Sequence, residues 1–254
     1  MAAGLPPTQR LSMTRAFGPR HGVARVISKA GLASRTQAAA WVQDGRVSVA
    51  GRVVRDPEFP VRAGVDEVRV DGRAIGVEAR VYLALNKPRG LVTTASDEKG
   101  RDTVYRCFDG AGLPWVAPVG RLDQASEGLL LFTNDPAWAA RITDPAVGPD
   151  KTYRVQVEGV PGDDVRAAMV DGLDEGGERL SAKSVSLLKS GGKTAWLEVV
   201  LDEGRNRQIR RLAKAAGFPV LRLVRVAIGP LELGDLPKGA WRLLTAEELA
   251  ALGA

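Results

Sequence analysis

The chain is poor in the residues on which many active sites and disulfide scaffolds depend. Its 254 residues include one cysteine, Cys107, and one histidine, His21. A single cysteine cannot form a disulfide within the chain, which fits a reducing compartment, and we expect Cys107 to be a small core residue. So few soft ligands argue against a zinc site, and one histidine argues against Ser-His-Asp or Cys-His catalysis.

Aromatic side chains and long apolar runs are also scarce. Aromatic residues make up 5% of the chain, and no apolar run approaches the length of about 20 residues that a membrane-spanning helix needs. We therefore expect no membrane association and a cytoplasmic location. An apolar fraction of 44% still supports one large domain and a smaller one.

Basic side chains exceed acidic ones by 36 to 30, which gives a formal net charge of +6. This balance favours a polyanionic partner. Residues 1–22 contain Arg10, Arg15 and Arg20 but no acidic residue. We interpret this segment as a flexible basic tail, with a transit peptide as the alternative.

Residues 23–78 predict a small α/β module. A short helix is expected to end at Gly31, and Ser34 followed by Gln37 forms a capping-box pattern for a second helix. Three short strands are predicted after these helices: Val47–Val49, Val53–Val54 and Val68–Val70. Two turns are predicted at Ala50-Gly51 and Asp71-Gly72. Residues 73–80 have the mixed composition of a linker.

The most informative segment runs from Gly120 to Asp135. It places Asp123 after a Gly-Arg-Leu sequence and before an apolar run, Leu129–Phe132, that predicts a buried strand. A carboxylate at the edge of a core can hold a charged group, and Arg121 is its nearest candidate partner. A turn aspartate that accepts backbone N–H groups is the simpler alternative.

Two later segments carry further candidate residues. Strand alternation places Tyr153 on the apolar face of a strand that begins near Lys151. In the basic helix predicted between Asn206, as its N-cap, and Gly217, as its end, Arg210 falls at the border of the buried face. Arg210 can therefore be half-buried and hold a carboxylate, whereas the neighbouring arginines point further outward.

These segments resemble the RsuA family of ribosomal RNA pseudouridine synthases. The residues that carry the resemblance are Asn86-Lys87-Pro88, Gly120-Arg121-Leu122-Asp123 with Thr133-Asn134-Asp135, Lys151-Thr152-Tyr153, Gly204-Arg205 with Gln208-Ile209-Arg210-Arg211, and residues 221–231. The family usually has glycine where Pro136 stands. Residues 25–35 and 45–54 also resemble the S4 RNA-binding domain, which often has asparagine at the position of Ala50.

The resemblance implies a fold, a reaction and three catalytic residues. The fold is α+β, with an S4-like domain at 23–78 and a catalytic domain at 79–254 built on a mixed, mainly antiparallel sheet. The reaction isomerises uridine to pseudouridine without a cofactor or metal. Asp123 is implied as the nucleophile, Arg210 as its partner, and Tyr153 as the residue that packs on the extruded base and takes part in proton removal.

The implied partner is ribosomal RNA or a ribosome-assembly intermediate, bound by a monomer. RNA contacts are expected at basic residues in both domains: Arg25, Lys29, Arg35, Arg46, Arg52, Lys87, Arg121, Arg205, Arg207, Arg211 and Arg222. For most of these a solvated charged surface is the simpler interpretation. For Lys87 a structural turn is equally compatible with the sequence.

Three alternatives remain open from the sequence. Residues 123–128 and 222–225 resemble more closely the enzymes that act on large-subunit RNA, while the S4-like module also fits enzymes of the small subunit. A non-catalytic RNA-binding assembly factor would lack an intact catalytic motif. A glycoside hydrolase needs two facing carboxyl groups, and the second would be Glu127, which we expect to be exposed in a turn.

Overall fold

The computed structural model describes residues 19–76 and 79–253, and these fall into two compact units. One unit comprises residues 19–28 and 35–76, and the other comprises residues 29–34 and 79–253. Within the described ranges no helix is both long and apolar enough to cross a membrane. The predicted tail at 1–22 lies largely outside these ranges, as do positions 77 and 78 of the predicted linker.

The smaller unit combines two helices with short antiparallel strands. Its elements are β1 His21–Gly22, α1 Val23–Lys29, α2 Arg35–Gln43, β2 Val47–Val49, β3 Arg52–Val53, β4 Pro60–Val61, β5 Val68–Val70 and β6 Arg73–Ala74. Four strands form a sheet in the order β3-β2-β5-β6, and β1 pairs with β4. The valine-rich faces of these elements close a small core that includes Val23, Ile27, Val42 and Val68.

Both predicted turns of this unit are confirmed. Ala50 and Gly51 have φ values of 47° and 79°, and Asp71 and Gly72 have values of 49° and 76°. Two successive left-handed residues match the twist of the flanking strands, as in the favoured two-residue hairpin turns. The hairpins β2–β3 and β5–β6 therefore form where the sequence indicated.

Two predictions at the ends of this unit are wrong. His21 does not lie in an irregular segment, because it pairs with Val61 in an antiparallel ladder. Arg73 and Ala74 are not part of a linker, because they pair with Val70 and Arg69. Both errors concern two-residue strands, which are too short to show alternation in the sequence.

The larger unit mixes strands and helices without a regular alternation. Its elements are β7 Tyr82–Lys87, a 3-10 helix Val104–Phe108, β8 Ala117–Val119, β9 Glu127–Thr133, α3 Pro136–Thr143, β10 Lys151–Glu158, α4 Asp163–Asp171, β11 Leu173–Glu175, β12 Glu178–Leu180, β13 Ser184–Gly191, β14 Thr194–Leu201, α5 Gln208–Ala215, β15 Val220–Ile228, β16 Leu231–Glu232, β17 Trp241–Leu243 and α6 Ala246–Ala251.

Nine of these strands form one sheet in the part of the chain that the structure describes. Its order is β13-β14-β10-β15-β9-β7-β17, with β8 beside β9 and β16 beside β15. The β15–β9 pair is parallel, and the other pairs in this sheet are antiparallel. The expected α+β fold with a mainly antiparallel sheet is therefore confirmed.

Strand β9 is the centre of the core. All seven of its residues are buried, because apolar clusters cover both faces of the sheet. Leu129 and Leu131 pack with Trp138 of α3 on one face. Leu130 and Phe132 pack on the other face. The predicted strand at Leu129–Phe132 is thus confirmed and extends further in both directions.

Pro136 begins a helix at the end of this strand. Asp135 is the N-cap of α3, and its carboxylate accepts hydrogen bonds from the N–H groups of Ala137 and Trp138 at 3.0 and 3.2 Å. Proline suits the first helical position because its missing N–H would have no partner there. The departure from the family's usual glycine therefore changes a helix start and leaves Asp123 unaffected.

Gly128 allows the parallel strands β9 and β15 to approach closely. It pairs with Arg225 and has a φ of 102°. A Cβ atom at this position would overlap the backbone of Arg225. Only glycine combines this dihedral angle with this absence of bulk.

We expect Gly128→Ala to lower the free energy of unfolding by about 2 kcal/mol or more, since a strained backbone and a displaced strand add their costs. Thermal and urea unfolding would measure the loss. Gly192→Ala is the matched control, because an added Cβ at Gly192 meets nothing within 4 Å. Equal stability of the two variants would contradict the close approach at Gly128.

Candidate active site

A cleft of about 660 Å³ opens in the larger unit. Its walls come from the loop before β9, the beginning of β10, the segment that leads into α5, and β15. The polar and charged residues on its walls include Arg121, Asp123, Ser126, Lys151, Tyr153, Glu203, Arg205, Arg207, Gln208 and Arg225. Two of the three predicted catalytic residues, Asp123 and Tyr153, therefore share one cleft.

Asp123 lies in a loop that is fixed at its base and open at its tip. Leu122 is 6% exposed and anchors the loop in the core. The Thr93 hydroxyl donates to the carbonyl oxygen of Leu122 at 2.7 Å, and the N–H of Ser126 donates to that of Asp123 at 3.0 Å. The Asp123 side chain remains 37% exposed, so its carboxylate is accessible to a substrate.

Lys87 holds this loop from inside the protein. Its side chain is fully buried, and its Nζ donates to the carbonyl oxygens of Pro88, Asp123 and Ser126 at 3.0, 3.2 and 2.9 Å. Burial lowers the pKa of Lys87 to about 8. The predicted RNA contact of Lys87 is wrong, because β7 continues through Lys87 and directs its side chain into the core.

Arg207 is the arginine that reaches Asp123. Its Nη1 lies 3.4 Å from Oδ2 of Asp123. Arg207 is the N-cap of α5 and has a left-handed backbone with φ 49°, so the prediction of Asn206 as the N-cap is wrong by one residue. Arg207 therefore precedes the first turn of α5, and its side chain lines the cleft.

Arg210 holds the backbone of the Asp123 loop. Its Nη2 donates to the carbonyl oxygen of Ala125 at 3.1 Å, and its Nη1 lies 3.5 Å from that of Val220. Burial and Arg207 lower its pKa, while Asp123 opposes this. The predicted half-burial of Arg210 is confirmed. The direct Arg210–Asp123 pair is wrong in this structure, because the nearer acceptor is a backbone carbonyl.

Tyr153 lies near the start of β10, on the face that lines the cleft. It is opposite Val199 of β14 and Arg225 of β15. Its ring packs against the apolar clusters on both sides of this region and is partly exposed. An aromatic face is therefore available at the wall of the cleft that contains Asp123.

Two family models match the chain over its two units. The RNA pseudouridylate synthase model matches residues 81–215, and the S4 domain model matches residues 23–68. The first match spans more than half of the chain and contains Asp123, Tyr153 and Arg210. The chain belongs to the RNA pseudouridylate synthase family.

Relatives of this synthase match it over nearly its whole length. The ribosomal large subunit pseudouridine synthase B of Bacillus subtilis is 37% identical over 91% of this chain and 94% of its own. An uncharacterized RNA pseudouridine synthase of Mycobacterium tuberculosis is 43% identical over 90% and 91%. The crystal structure of a pseudouridylate synthase superposes with a TM-score of 0.63 and 29% identity, covering 92% of this chain and all of that one.

The predicted RNA-binding residues of the synthase divide into free and engaged groups. Those that are exposed and have no ion pair among the described residues are Arg25, Lys29, Arg52 and Arg121. Those that are paired with a carboxylate are Arg35 with Glu58, Arg46 with Asp71, Arg205 with Glu203, Arg207 with Asp123, Arg211 with Glu175 and Glu178, and Arg222 with Glu127. The two carboxylates around Arg211 make it the least available of these to a phosphate.

Glu127 is buried, contrary to the expected exposure. It is 4% exposed, and its two oxygens lie 2.8 Å from Arg222 Nε and Lys238 Nζ. Hydrogen bonds from these cations lower the pKa of Glu127 to about 2. A general acid needs a raised pKa, so Glu127 does not fit the second carboxyl group of a glycoside hydrolase.

Two polar residues of the segments that carry the family resemblance, Gln208 and Arg225, are buried at the cleft, which the sequence did not predict. Arg225, like Arg222, was a candidate only for an RNA contact. Gln208 is 2% exposed and donates to the carbonyl oxygen of Ser181 at 2.9 Å and to Glu203 at 2.7 Å. Arg225 is 6% exposed. They share element faces with the apolar residues Ile209 and Leu223, so local pattern did not show that they would be buried.

We expect Lys87→Met to lower the free energy of unfolding by about 1–3 kcal/mol, since three buried or part-buried carbonyl groups lose their shared donor. The salt dependence of RNA affinity should not change, because a buried ammonium neutralises no phosphate. Unfolding and filter-binding measurements test this, with the exposed Lys189→Met as control. A shallower salt dependence in Lys87→Met would return Lys87 to the RNA surface.

We expect Glu127→Gln to flatten the acid dependence of stability. The carboxyl pKa rises from about 2 in the folded protein to 4.5 when unfolded, so its stabilising contribution is complete above 4.5 and is lost as the pH falls toward 2. Urea unfolding at several pH values should show a steeper loss for the wild type than for the variant. Parallel profiles would contradict the role assigned to the two cations.

Proposed function

We propose that this synthase isomerises uridine to pseudouridine in ribosomal RNA, with Asp123 as the nucleophile and the large subunit as the target. The observation that carries the catalytic part is the accessible carboxylate of Asp123, which shares a cleft with Tyr153 and lies beside Arg207. The name of the Bacillus subtilis relative supports the large subunit. Small-subunit RNA is the alternative target for the same reaction.

The chemistry requires a carboxylate that can attack, a detached base that can turn, and a new bond from ribose to carbon 5. Arg207 Nη1 lies 3.4 Å from Oδ2 of Asp123, so a cation stands beside the carboxylate that we assign as the nucleophile. Arg210 positions the loop through Ala125. Tyr153 offers its ring to the extruded base and takes part in proton removal. Since no electrons or groups are exchanged with a third compound, these residues act without a cofactor.

The target uridine must leave its stack to enter the cleft. This costs a few kcal/mol and least in loops or distorted RNA. The exposed Arg121 and the cations Arg205 and Arg207 on the cleft supply phosphate contacts there. Residues 23–78 act as the RNA-binding domain of a cytoplasmic monomer, and residues 79–254 act as the catalytic domain. Contacts by Arg25, Lys29 and Arg52 would position the RNA without reading its sequence.

We expect Asp123→Asn to abolish pseudouridine formation while RNA affinity changes by less than about threefold, because the amide cannot attack and the phosphate-binding cations remain. Tritium release from RNA labelled at carbon 5 of uridine measures the reaction, and filter binding measures affinity. The control is Asp171→Asn, at an exposed position in the last turn of α4. Full activity of Asp123→Asn would end its assignment as the nucleophile.

The target is tested by mapping pseudouridine in cells that lack the gene. We expect one or a few positions of large-subunit RNA to remain uridine and to be modified when the purified protein is added. Loss of modification in small-subunit RNA or in transfer RNA instead would refute the proposed target and leave the catalytic assignment intact.

A further inference from the structure

The floor of the cleft contains two cations beside the candidate aromatic platform. Tyr153 of β10 and Arg225 of β15 are opposite each other in the ladder, so their side chains project from the same face. Lys151 precedes Tyr153 by two residues and lines the same cleft. A ligand that reaches Tyr153 therefore meets positive charge.

Arg225 is buried without a full set of partners. Its side chain is 6% exposed, and its Nε donates to the carbonyl oxygen of Leu129 at 2.7 Å. Its Nη2 is buried and has no hydrogen-bond partner among the described residues. In the described part of the chain, neither Arg225 nor Lys151 forms an ion pair. A buried guanidinium in this condition is costly unless another acceptor reaches it.

Ser126 is a second unpartnered polar group on the same cleft. It follows Asp123 by three residues and is 1% exposed. Its backbone is held by Lys87, but its Oγ has no hydrogen-bond partner among the described residues. A hydroxyl can accept one hydrogen bond and donate another, so Ser126 suits a donor group on a ligand. The cleft therefore combines an unused charged donor with an unused hydroxyl.

The connectivity of RNA decides which part of a nucleotide reaches this floor. The phosphates on both sides of a flipped nucleotide continue into the rest of the strand and must stay near the mouth. Exposed arginines such as Arg121, Arg205 and Arg207 line the cleft and suit them. The base is the only part that can enter deeply. The buried Arg225 therefore faces the base, and its donors require an acceptor atom there.

Uracil and cytosine differ at the edge that lies farthest from the ribose. At carbon 4 uracil has a carbonyl oxygen, whereas cytosine has an amino group. Arginine has only donors and cannot accept from that amino group. A site that hydrogen-bonds one group strongly rejects an analogue that lacks it, because its own buried polar atoms are then left unpaired.

We propose that Arg225 selects uracil in this synthase, by donating to the base carbonyl opposite the ribose, while the Ser126 hydroxyl accepts from N3–H. The assignment rests on the proposed function, in which the cleft receives an extruded uridine. Arg225 is thus a specificity-determining residue in contact with the substrate, and Lys151 adds positive charge beside it.

The same contacts suit the base after it has turned. Rotation of uracil by half a turn about the axis through N3 and C6 exchanges O4 with O2 and N1 with C5. O2 of the base then takes the place of O4 as the acceptor for Arg225, and N3–H still donates to Ser126. Carbon 5 arrives where N1 was, beside the ribose. Two fixed partners can therefore hold the base in both orientations, which cytosine does not permit.

The experiment uses the full-length protein and a short transcript around whichever uridine it modifies in RNA from gene-deleted cells. The target position contains either uridine or 4-thiouridine, whose sulfur is a weak acceptor. We expect the wild type to lose about 10- to 100-fold in kcat/KM on the thio transcript. Arg225→Leu should have a low kcat/KM on the uridine transcript, and replacing the oxygen by sulfur should lower that value by no more than about a further twofold. The two changes, one in the protein and one in the base, form a double-mutant cycle.

Two controls separate recognition from folding. Arg154→Leu changes an exposed arginine of β10 that does not line this cleft, and it should retain the wild-type response to sulfur. Arg225→Gln fills more of the site than leucine and can still donate to Leu129. Thermal unfolding shows which variants are folded, and either folded variant of Arg225 should lose the response to sulfur.

An equal response to sulfur in the wild type and in a folded Arg225 variant would overturn the proposal and would favour a phosphate contact. Binding of a transcript with cytidine at the target position gives a second readout. It should be weaker than binding of the uridine transcript for the wild type, and this difference should be smaller for Arg225→Leu. The transcript is designed around whichever uridine the protein modifies. A target outside ribosomal RNA would therefore refute the proposed function, and the role of Arg225 would still be tested on that target.

Discussion

The buried ammonium of Lys87 is the contact on which the geometry of the cleft depends. It joins the end of β7 to the loop that contains Asp123 through the carbonyl oxygens of Asp123 and Ser126, and it also binds the carbonyl oxygen of the adjacent Pro88. Arg210 adds a third contact to the same loop at Ala125. Three carbonyl groups of this loop, at residues 123, 125 and 126, are thus held by two cations, while the Asp123 carboxylate stays accessible. A reacting group on a loop needs such support, since small displacements lower the rate strongly.

The sheet brings the walls of the cleft together through one unusual strand pair. β9 and β15 run parallel and meet at Gly128 and Arg225, where a side chain on the glycine would not fit. This close approach places the residues of β15 and β10 under the loop that precedes β9. Cations then occur at two depths, exposed near Arg121 and Arg207 and buried at Arg225. Their different surroundings suit them to different parts of one nucleotide.

Local pattern was a reliable guide wherever a structural element depends on its own residues. The apolar run at Leu129–Phe132 became the central strand, the turn at Asp71-Gly72 formed, and Arg210 was half-buried as the helical angle required. The errors occurred where a distant segment decides the environment. Lys87 and Glu127 are charged residues that are normally exposed, and their neighbours in the chain do not show that they are buried. Carbonyl oxygens surround Lys87 and two cations surround Glu127, and most of these groups come from distant segments.

The sequence alone established the family, the fold class and the residues Asp123 and Tyr153 as members of one candidate site, because ordered motifs and local periodicity are written along the chain. Tertiary structure decided the contacts among charges. Arg207, with a left-handed backbone at the start of α5, lies beside Asp123, and Arg210 donates to a backbone carbonyl oxygen. Hydrogen bonds depend on differences of about 1 Å between segments far apart in the chain, and a one-dimensional pattern does not contain that information.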